Sequence, residues 1–575
     1  MAAREATAPG RERAALFVVA LTAIATVFML QSIRVFVAYL VFVVDQSNRV
    51  TLAGTALGVF AAIGLGGVLA RRLGPAPALL ATAGLLGASR LVMQLWQQPE
   101  ARVALGGLGI IAWGWLLAAL LGLSRTGVAS GLALGLGLDI AIRVGFRTVD
   151  LPWMPGAMAH ALTLLLLTGF AVAALLVSRR VHLFTPDPVS SLSLVAIGPG
   201  LAVYHLMTGS AGMARSMLDI GFMQAALLLS VGVLIGAVVA ALGDGWPLGR
   251  GARIDGPLAL VAMVVLGLGA AVLVWQRPYP AALAFVAGVA GTVVLLSMAA
   301  RGGAPGRVLN ERGATTWLTI GMLLQVGLLF TYYTLTGPPL VIVIAWGVFV
   351  LGALATGSSA ASEVARLATS AAPVVALAVA LCVAFGIQAF DDDGPRAGPP
   401  LASEFTVMTY NLQAGFDIDN WWSLERQART IEAESPDVVV LQEVGRGWLV
   451  LSPVDQVEWL SRRLGMPYVF GANSDDGLWG NAILSRAPLS EVARHQYATT
   501  QNLKRGVITV RVETEAGGVW VFGTHLDNPE DAGEARLRQV NELIAVIGGR
   551  APTLLAGDFN AEPDSDVLQT ISAAG

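Results

Sequence analysis

Between Ala14 and Phe390 the chain is a near-continuous series of apolar runs, each close to the length an α-helix needs to cross hydrocarbon, about 20 residues. A segment in lipid must satisfy its own backbone donors and acceptors, so this pattern admits a polytopic α-helical membrane bundle and little else. The runs are read as spans at 15–44, 51–70, 76–96, 103–123, 127–146, 157–177, 190–208, 217–242, 256–275, 279–299, 314–335, 338–357 and 369–390, about thirteen in all. Composition agrees: 55% of the 575 residues are hydrophobic and 13% charged, with a mean hydropathy of +0.68. A water-soluble protein has no use for so much apolar sequence. The first run is long and contains Arg34, which leaves one tilted helix or two segments open. It is too long for a cleavable signal peptide, and no small-residue cleavage site precedes the next span.

Arginines in the connections give the orientation. Arg4, Arg11 and Arg13, then Arg71, Arg72, Arg125, Arg179, Arg180, Arg250, Arg253, Arg301, Arg307, Arg312 and Arg366, fall on one side, 14 in all. The opposite connections hold five: Arg49, Arg102, Arg147, Arg215 and Arg277. The richer side is read as cytoplasmic, so the N-terminus lies inside and the last span ends outside. Residues 1–390 form the membrane domain, 391–403 an acidic linker bearing Pro and Gly, and 404–575 an extracytoplasmic soluble domain. Charge divides at the same place, with a net of +8 over residues 1–400 and −11 over 401–575.

Inside the spans, Arg34, Arg90, Asp139, Arg143, His160, His205 and Asp219 are the polar exceptions. Such groups are costly in lipid and belong in a bundle interior or an aqueous cavity. Asp139 and Arg143 stand four apart on one helix face, which allows either a local ion pair or a polar cavity for a lipid head group. For His160 and His205, hydrogen bonding near span ends is the expectation. Gly64, Gly66, Gly67, Gly131, Gly135 and Gly137 suit close helix packing. Cys382 is read as a small core hydrophobe; a single cysteine excludes a disulfide framework within the chain and a thiolate metal site.

After Ala402 the pattern changes to short strands and amphipathic helices. Phe405–Asn411 alternates and ends in an amide, and Val438–Glu443 is a buried strand ending in a carboxylate. Val519–Leu526 carries His525 at its end. Pro552–Ala556 leads into Gly557-Asp558-Phe559-Asn560, where Asp558 and Asn560 share one face in extended geometry. Taken alone, that tetrapeptide is equally a strand followed by an Asx-type turn. Trp422–Glu434 and Glu534–Ile547 read as helices, and Val507–Glu513 with Val519–Thr524 as a hairpin around Gly517-Gly518. Strands and helices alternating in this way indicate an α/β sandwich.

In order, Thr409-Tyr410-Asn411, Leu441-Gln442-Glu443, Gly480-Asn481-Ala482-Ile483-Leu484-Ser485, Gly523-Thr524-His525-Leu526 and Gly557-Asp558-Phe559-Asn560 resemble the endonuclease/exonuclease/phosphatase superfamily. These are metal-dependent phosphodiesterases that include pancreatic-type deoxyribonucleases and neutral sphingomyelinases. The resemblance covers roughly residues 404–575 and implies two packed mixed sheets flanked by helices. It implies that Glu443 binds the metal with help from Asn411. Asp558 and Asn560 would orient the attacking water and hold phosphoryl oxygens, and His525 would contact the phosphate or protonate the leaving group. Asn481 matches a motif beside the site, where strand-end hydrogen bonding is an equal reading for it and for Ser485. His495, outside any motif, is read as a surface histidine.

A rigid strand-end carboxylate with a neutral oxygen beside it suits a hard cation, Mg²⁺ with Mn²⁺ as an alternative. Zinc is disfavoured, because only one histidine is placed to bind it. The superfamily closes with an Asp-His pair in which the histidine is general base. The chain reaches Gly575 before such a pair, so the domain is expected to be truncated, and residues 1–575 to bind Mg²⁺ yet turn over slowly. The acidic domain is a poor surface for nucleic acid, which favours a phospholipid-like or envelope phosphoester as substrate. An exported nuclease scavenging phosphate is the alternative enzyme; a lipid-handling transporter or scaffold with a binding-only domain is the alternative outside catalysis. Multi-pass bundle plus exported domain also resembles the eukaryotic membrane proteins of GPI-lipid remodelling.

Overall fold

The computed structural model describes residues 8–44, 48–184, 191–242, 278–301, 311–334, 344, 347, 365–389, 394–501 and 503–575. The chain forms two compact units, Met1–Gln388 and Ala389–Gly575.

Among the described residues of the first unit, nine helices are long and apolar enough to cross a membrane, or ten if one bent pair counts as a span. These nine or ten are counted over the described residues alone and do not decide the expected total of about thirteen. The expected span at 256–275, and that at 338–357 apart from residues 344 and 347, lie outside the described residues. The expected span at 190–208 is instead a broken pair, Ser193–Thr208 and Ala211–Leu218, bent by 54°. Pro199 removes a backbone donor there, a π-turn over Tyr204–Thr208 widens the ladder, and Ser210 caps the second helix by accepting from the Met213 N–H. The final apolar helix contains a shorter apolar core, Ala372–Gln388. Cys382 is exposed on it and is not a core residue, since a lipid-facing surface is as apolar as an interior. The first run is one continuous helix, Ala8–Val43. It packs so closely on Arg125–Gly145 that a Cβ at Gly135 would lie 2.7 Å from the Ala23 carbonyl oxygen.

Asp139 makes the expected i,i+4 ion pair with Arg143 at 2.9 Å, and it is also bound by Arg34 and by the Tyr204 hydroxyl at 2.7 Å. With five hydrogen bonds from three side chains on its two oxygens, it is an internal anchor between helices.

The second unit is a sandwich of two four-stranded sheets. The first sheet has the order β1 (Val407–Asn411), β2 (Val438–Gly445), β4 (Trp479–Ser485), β3 (Tyr468–Ala472). The second runs β5 (Leu489–Gln496), β6 (Gly506–Thr514), β7 (Gly517–His525), β8 (Thr553–Asp558). Each sheet is antiparallel except for one parallel pair, β1 with β2 and β7 with β8. Val438, Val440 and Ile483 from the first sheet pack against Ile508, Val510, Val512 and Val521 from the second to make the core. Helix Gly533–Ile547 covers the outer face of the second sheet, burying Val540 and Leu543 against Phe522 and Leu526. Helix Leu424–Glu434 buries Leu424, Ala428 and Ile431, which its 3.6-residue period places on one stripe. The helices and the hairpin fall where the periodicity puts them, to within two residues, the hairpin turning at Glu515-Ala516.

Candidate functional site

The two parallel pairs decide what meets at the edge of the sandwich. Strands running in the same direction end on the same side, and their closing residues come into register. Asn411 at the end of β1 pairs with Gln442 on β2, one residue before Glu443. His525 at the end of β7 pairs with Asp558 at the end of β8. The sheets are then joined at this edge by a hydrogen bond from the Asn411 side-chain amide to Asp558 Oδ2, at 2.8 Å. His525 Nε2 lies 3.8 Å from that same oxygen and 4.0 Å from Glu443 Oε1. Four of the six residues singled out from the sequence are thus brought together.

Glu443 reaches the cluster through a distortion of its strand. The β2–β4 register shifts between Leu441 and Val444, and Glu443 has φ of +55°. A β-bulge with a left-handed residue turns one side chain off the regular alternation, and a non-glycine residue in that region typically costs about 1–3 kcal/mol. The Glu443 side chain is about a quarter exposed. Burial raises its pKa above the ordinary carboxylate value and the Asp558 charge adds to this, against the opposing effects of Arg505 and the Asn411 amide.

His525 is 1% exposed. Burial, and then the neighbouring Arg505 guanidinium, depress its pKa to about 3, although the Asp558 carboxylate opposes the shift. Arg505 Nη1 lies 2.9 Å from His525 Nδ1. A guanidinium can only donate, so Nδ1 accepts and the imidazole proton sits on Nε2, facing Glu443 and Asp558.

Asp558 is held rigidly. Its Oδ2 accepts from Asn411, and its Oδ1 accepts from the Asn560 backbone N–H at 3.0 Å. Asn560 has φ of +47° and donates its side-chain amide to the Leu526 carbonyl at 3.0 Å, which clamps the loop after β8 to the residue after His525. The Asx-type turn and the shared site are therefore both present in this tetrapeptide.

Asn481 stands apart from this group in its bonding. It is buried in β4 and donates to the Gly506 carbonyl at 3.1 Å, tying the two sheets beside His525, which pairs with Gly506. Its Oδ1 is buried with no hydrogen-bond partner among the described residues. Ser485 accepts from the Ala487 N–H, a strand-end bond of the kind read from the sequence. His495 is on the exposed face of β5, 3.2 Å from Glu542.

Arg505 is the residue that strand-end reasoning passes over, because it precedes β6 in a polar stretch. It is buried over the Trp479 ring, 5.2 Å from its centroid, donates to Asn528 Oδ1 at 3.2 Å, and lies 3.7 Å from Asp527. Asp527 accepts from the Gln501 N–H and from the Gln539 amide. The sequence does carry a second acid two places after that histidine, Asp527, but the register that sets the residue before Gly506 beside His525 exists only in the folded sheet.

Among the described residues, no group of three or more His, Cys, Asp or Glu side chains is arranged to hold a metal. The oxygen set nevertheless fits a Mg²⁺-like ion, which binds through one or two carboxylates and keeps several waters. Glu443 presents a carboxylate that burial and the Asp558 charge leave short of stabilisation, and among the described residues Asn411 Oδ1 accepts from the Gln413 N–H.

Residues 408–575 match the family model of the Endonuclease/Exonuclease/phosphatase family. A protein of Escherichia coli strain K12, "Uncharacterized protein YbhP", is 29% identical over 169 residues, covering 27% of this chain and 66% of that protein. The match thus spans slightly less than two thirds of this relative. A structure of an endonuclease/exonuclease/phosphatase from Beutenbergia cavernae is 27% identical over 29% of this chain and 52% of that one, with a TM-score of 0.25. Sphingomyelinase C from Streptomyces griseocarneus is 22% identical over 30% and 69% of the two chains, with a TM-score of 0.25.

Proposed function

We propose, from the premise that residues 408–575 are an endonuclease/exonuclease/phosphatase family domain, that this chain is a membrane-anchored, metal-dependent phosphodiesterase. The observation that carries the reading is the meeting of Asn411, Glu443, His525 and Asp558 at one edge through two parallel strand pairs. Glu443 and Asn411 would hold Mg²⁺, with Mn²⁺ a substitute, and the ion would supply positive charge beside a phosphoryl oxygen.

The chain's own residues do the rest. Asp558, fixed by two N–H donors, turns its free lone pairs toward an attacking water. The imidazole of His525 stays neutral and donates from Nε2, which suits contact with a phosphoryl oxygen better than delivery of a proton to the leaving group. Arg505 fixes that tautomer and keeps positive charge beneath the site. Asn560 holds the loop that carries Asp558, and Asn481 braces the two sheets.

For substrate, the net charge of −11 over residues 401–575 favours a phospholipid-like or envelope phosphoester over nucleic acid. Apolar helices and the arginine bias support a cytoplasmic N-terminus and an extracytoplasmic domain. The test offers the purified full chain a phospholipid in mixed micelles and single-stranded DNA, with Mg²⁺, at equal phosphodiester concentration. Release of head group without DNA cleavage is expected. Cleavage of DNA alone would favour the exported nuclease, and binding of lipid without any cleavage would favour a scaffold.

A further inference from the structure

The helical unit contains a second cluster of charge, with bonding that is incomplete. Arg34, Asp139, Arg143 and Asp150 form one network: Arg34 bonds both carboxylates, and Arg143 bonds Asp139. Two cations and two anions balance there. Arg90 and Arg102 are extra, and both are 0% exposed.

Among the described residues, Arg90 has no carboxylate partner. Its Nε donates to Gln31 at 2.6 Å, and its Nη2 donates to Gln94 at 3.0 Å and to Thr163 at 3.2 Å. Its Nη1, with two N–H groups, is buried with no hydrogen-bond partner among the described residues. Gln31 passes its own amide to Asp150 at 3.0 Å, so the nearest acid is reached only through a neutral relay. Arg102 donates to the Pro152 carbonyl at 2.7 Å and to Gln97, and lies 4.9 Å and 5.5 Å from the ring centroids of Tyr39 and Trp153. Its Nε is likewise buried and unpartnered.

The two guanidinium groups share a neighbourhood. Arg102 binds the Pro152 carbonyl, and Gln94, which accepts from Arg90, donates to the Met154 carbonyl. Arg102 thus meets the 150–154 segment directly and Arg90 through Gln94, at the end of the bundle where helix Pro75–Leu95 stops and Pro99–Leu123 begins. Among the described residues, the four of the network and Arg90 and Arg102 sum to a formal +2, all but Asp150 within helices long and apolar enough for a bilayer. Buried charge is retained when it is paired, and an unpaired guanidinium in an apolar interior is a strong demand for an anion.

We infer that Arg90 and Arg102 form a binding site for a phosphate-type oxyanion, such as an anionic lipid head group or free phosphate. The forked donors of a guanidinium match two oxygens of a tetrahedral oxyanion. The cation–π contacts with Tyr39 and Trp153 hold Arg102 in place without using its Nε. This site is separate from the strand-end cluster and does not depend on that cluster being catalytic.

The test measures thermal unfolding of the full chain in uncharged detergent. The additions are inorganic phosphate, phosphatidylglycerol or, as a zwitterionic control, phosphatidylcholine. A ligand that binds only the folded state raises the unfolding temperature, here by about 2–8 °C near saturation. A rise with phosphatidylglycerol but not phosphate assigns the site to a lipid head group; a rise with both assigns it to the oxyanion itself. No rise with either, or an equal rise with phosphatidylcholine, overturns the inference.

Arg90→Gln separates binding from packing, because it removes the surplus charge but keeps a polar side chain. The expected variant is at least as stable as the native chain without ligand and has lost most of the anion response. A full response in Arg90→Gln would contradict the assignment. If that variant does not fold, Arg102→Gln reads the same loss at the second orphaned donor, and the native chain's response already decides the main point.

Discussion

Glu443 and His525 carry opposite pKa shifts for the same first reason, burial of a group that would otherwise be charged. The two act on stability in opposite directions. His525 ionises near 6.5 in an unfolded chain and at about 3 in the fold, so between those values the unfolded chain binds a proton that the native one does not. Its contribution is fully present above about pH 6.5 and is lost as pH falls toward 3, by at most ~1.4 kcal/mol per unit. Glu443 has a raised pKa, so its protonated form is the one favoured by the fold, and its contribution fades as pH rises through that pKa. Pulse proteolysis of the full chain in urea, followed at the C-terminal domain between pH 7 and 5, should show stability falling with acidity. His525→Gln should flatten the slope. An unchanged slope would mean that the imidazole is not buried as described. Activity is expected to show no inflection near pH 6.5 from His525, and Arg505→Gln, which removes the second cause of the depression and leaves burial, should move the His525 titration upward from about 3 without restoring it to 6.5.

At the scale of elements, the site depends on how closely β7 and β8 run. Gly557 pairs with Thr524 in the parallel ladder, and a Cβ there would fall onto the Thr524 carbonyl. Gly557→Ala should push the two strands apart and move Asp558 from His525. The expected cost is ~1–3 kcal/mol in stability, read by the same proteolysis, with a fall in turnover greater than the loss of folded protein explains. Asn411, Glu443, His525 and Asp558 were legible in the sequence because each closes an apolar run, and a run that ends in a polar residue marks a strand edge. The bulge at Glu443 was not, since it exists only in the register between β2 and β4. Arg505 stands at the start of a strand, where no periodicity points to it. Asn481 was recognisable as a motif residue, yet its place in the middle of a buried strand gives it a bracing bond that strand-end logic does not anticipate.

For the whole molecule, the change near residue 390–400 from long apolar runs to short alternating ones marks the two units well, because bilayer and water impose different lengths and periods. Helix shape was less legible. A broken pair such as Ser193–Thr208 with Ala211–Leu218 reads as a straight span in composition alone, since a proline and a π-turn leave hydrophobicity unchanged. Orientation rests on the arginine bias. A reporter fused after Ala402 should be active only if it functions outside the cytoplasm; signal from a cytoplasm-only reporter would reverse the topology.

Under the proposed function, Glu443 holds the ion on which phosphodiester cleavage depends. The direct measurement is hydrolysis of a chromogenic phosphodiester by the purified full chain over a Mg²⁺ titration, for the native protein and Glu443→Gln, with circular dichroism of both. Glu443→Gln is nearly isosteric and removes only the charge. Hydrolysis by the native chain should rise with Mg²⁺, and the variant should lose at least about 10²-fold with the fold intact. Equal rates in the two proteins, or a native rate indifferent to Mg²⁺, would contradict this assignment.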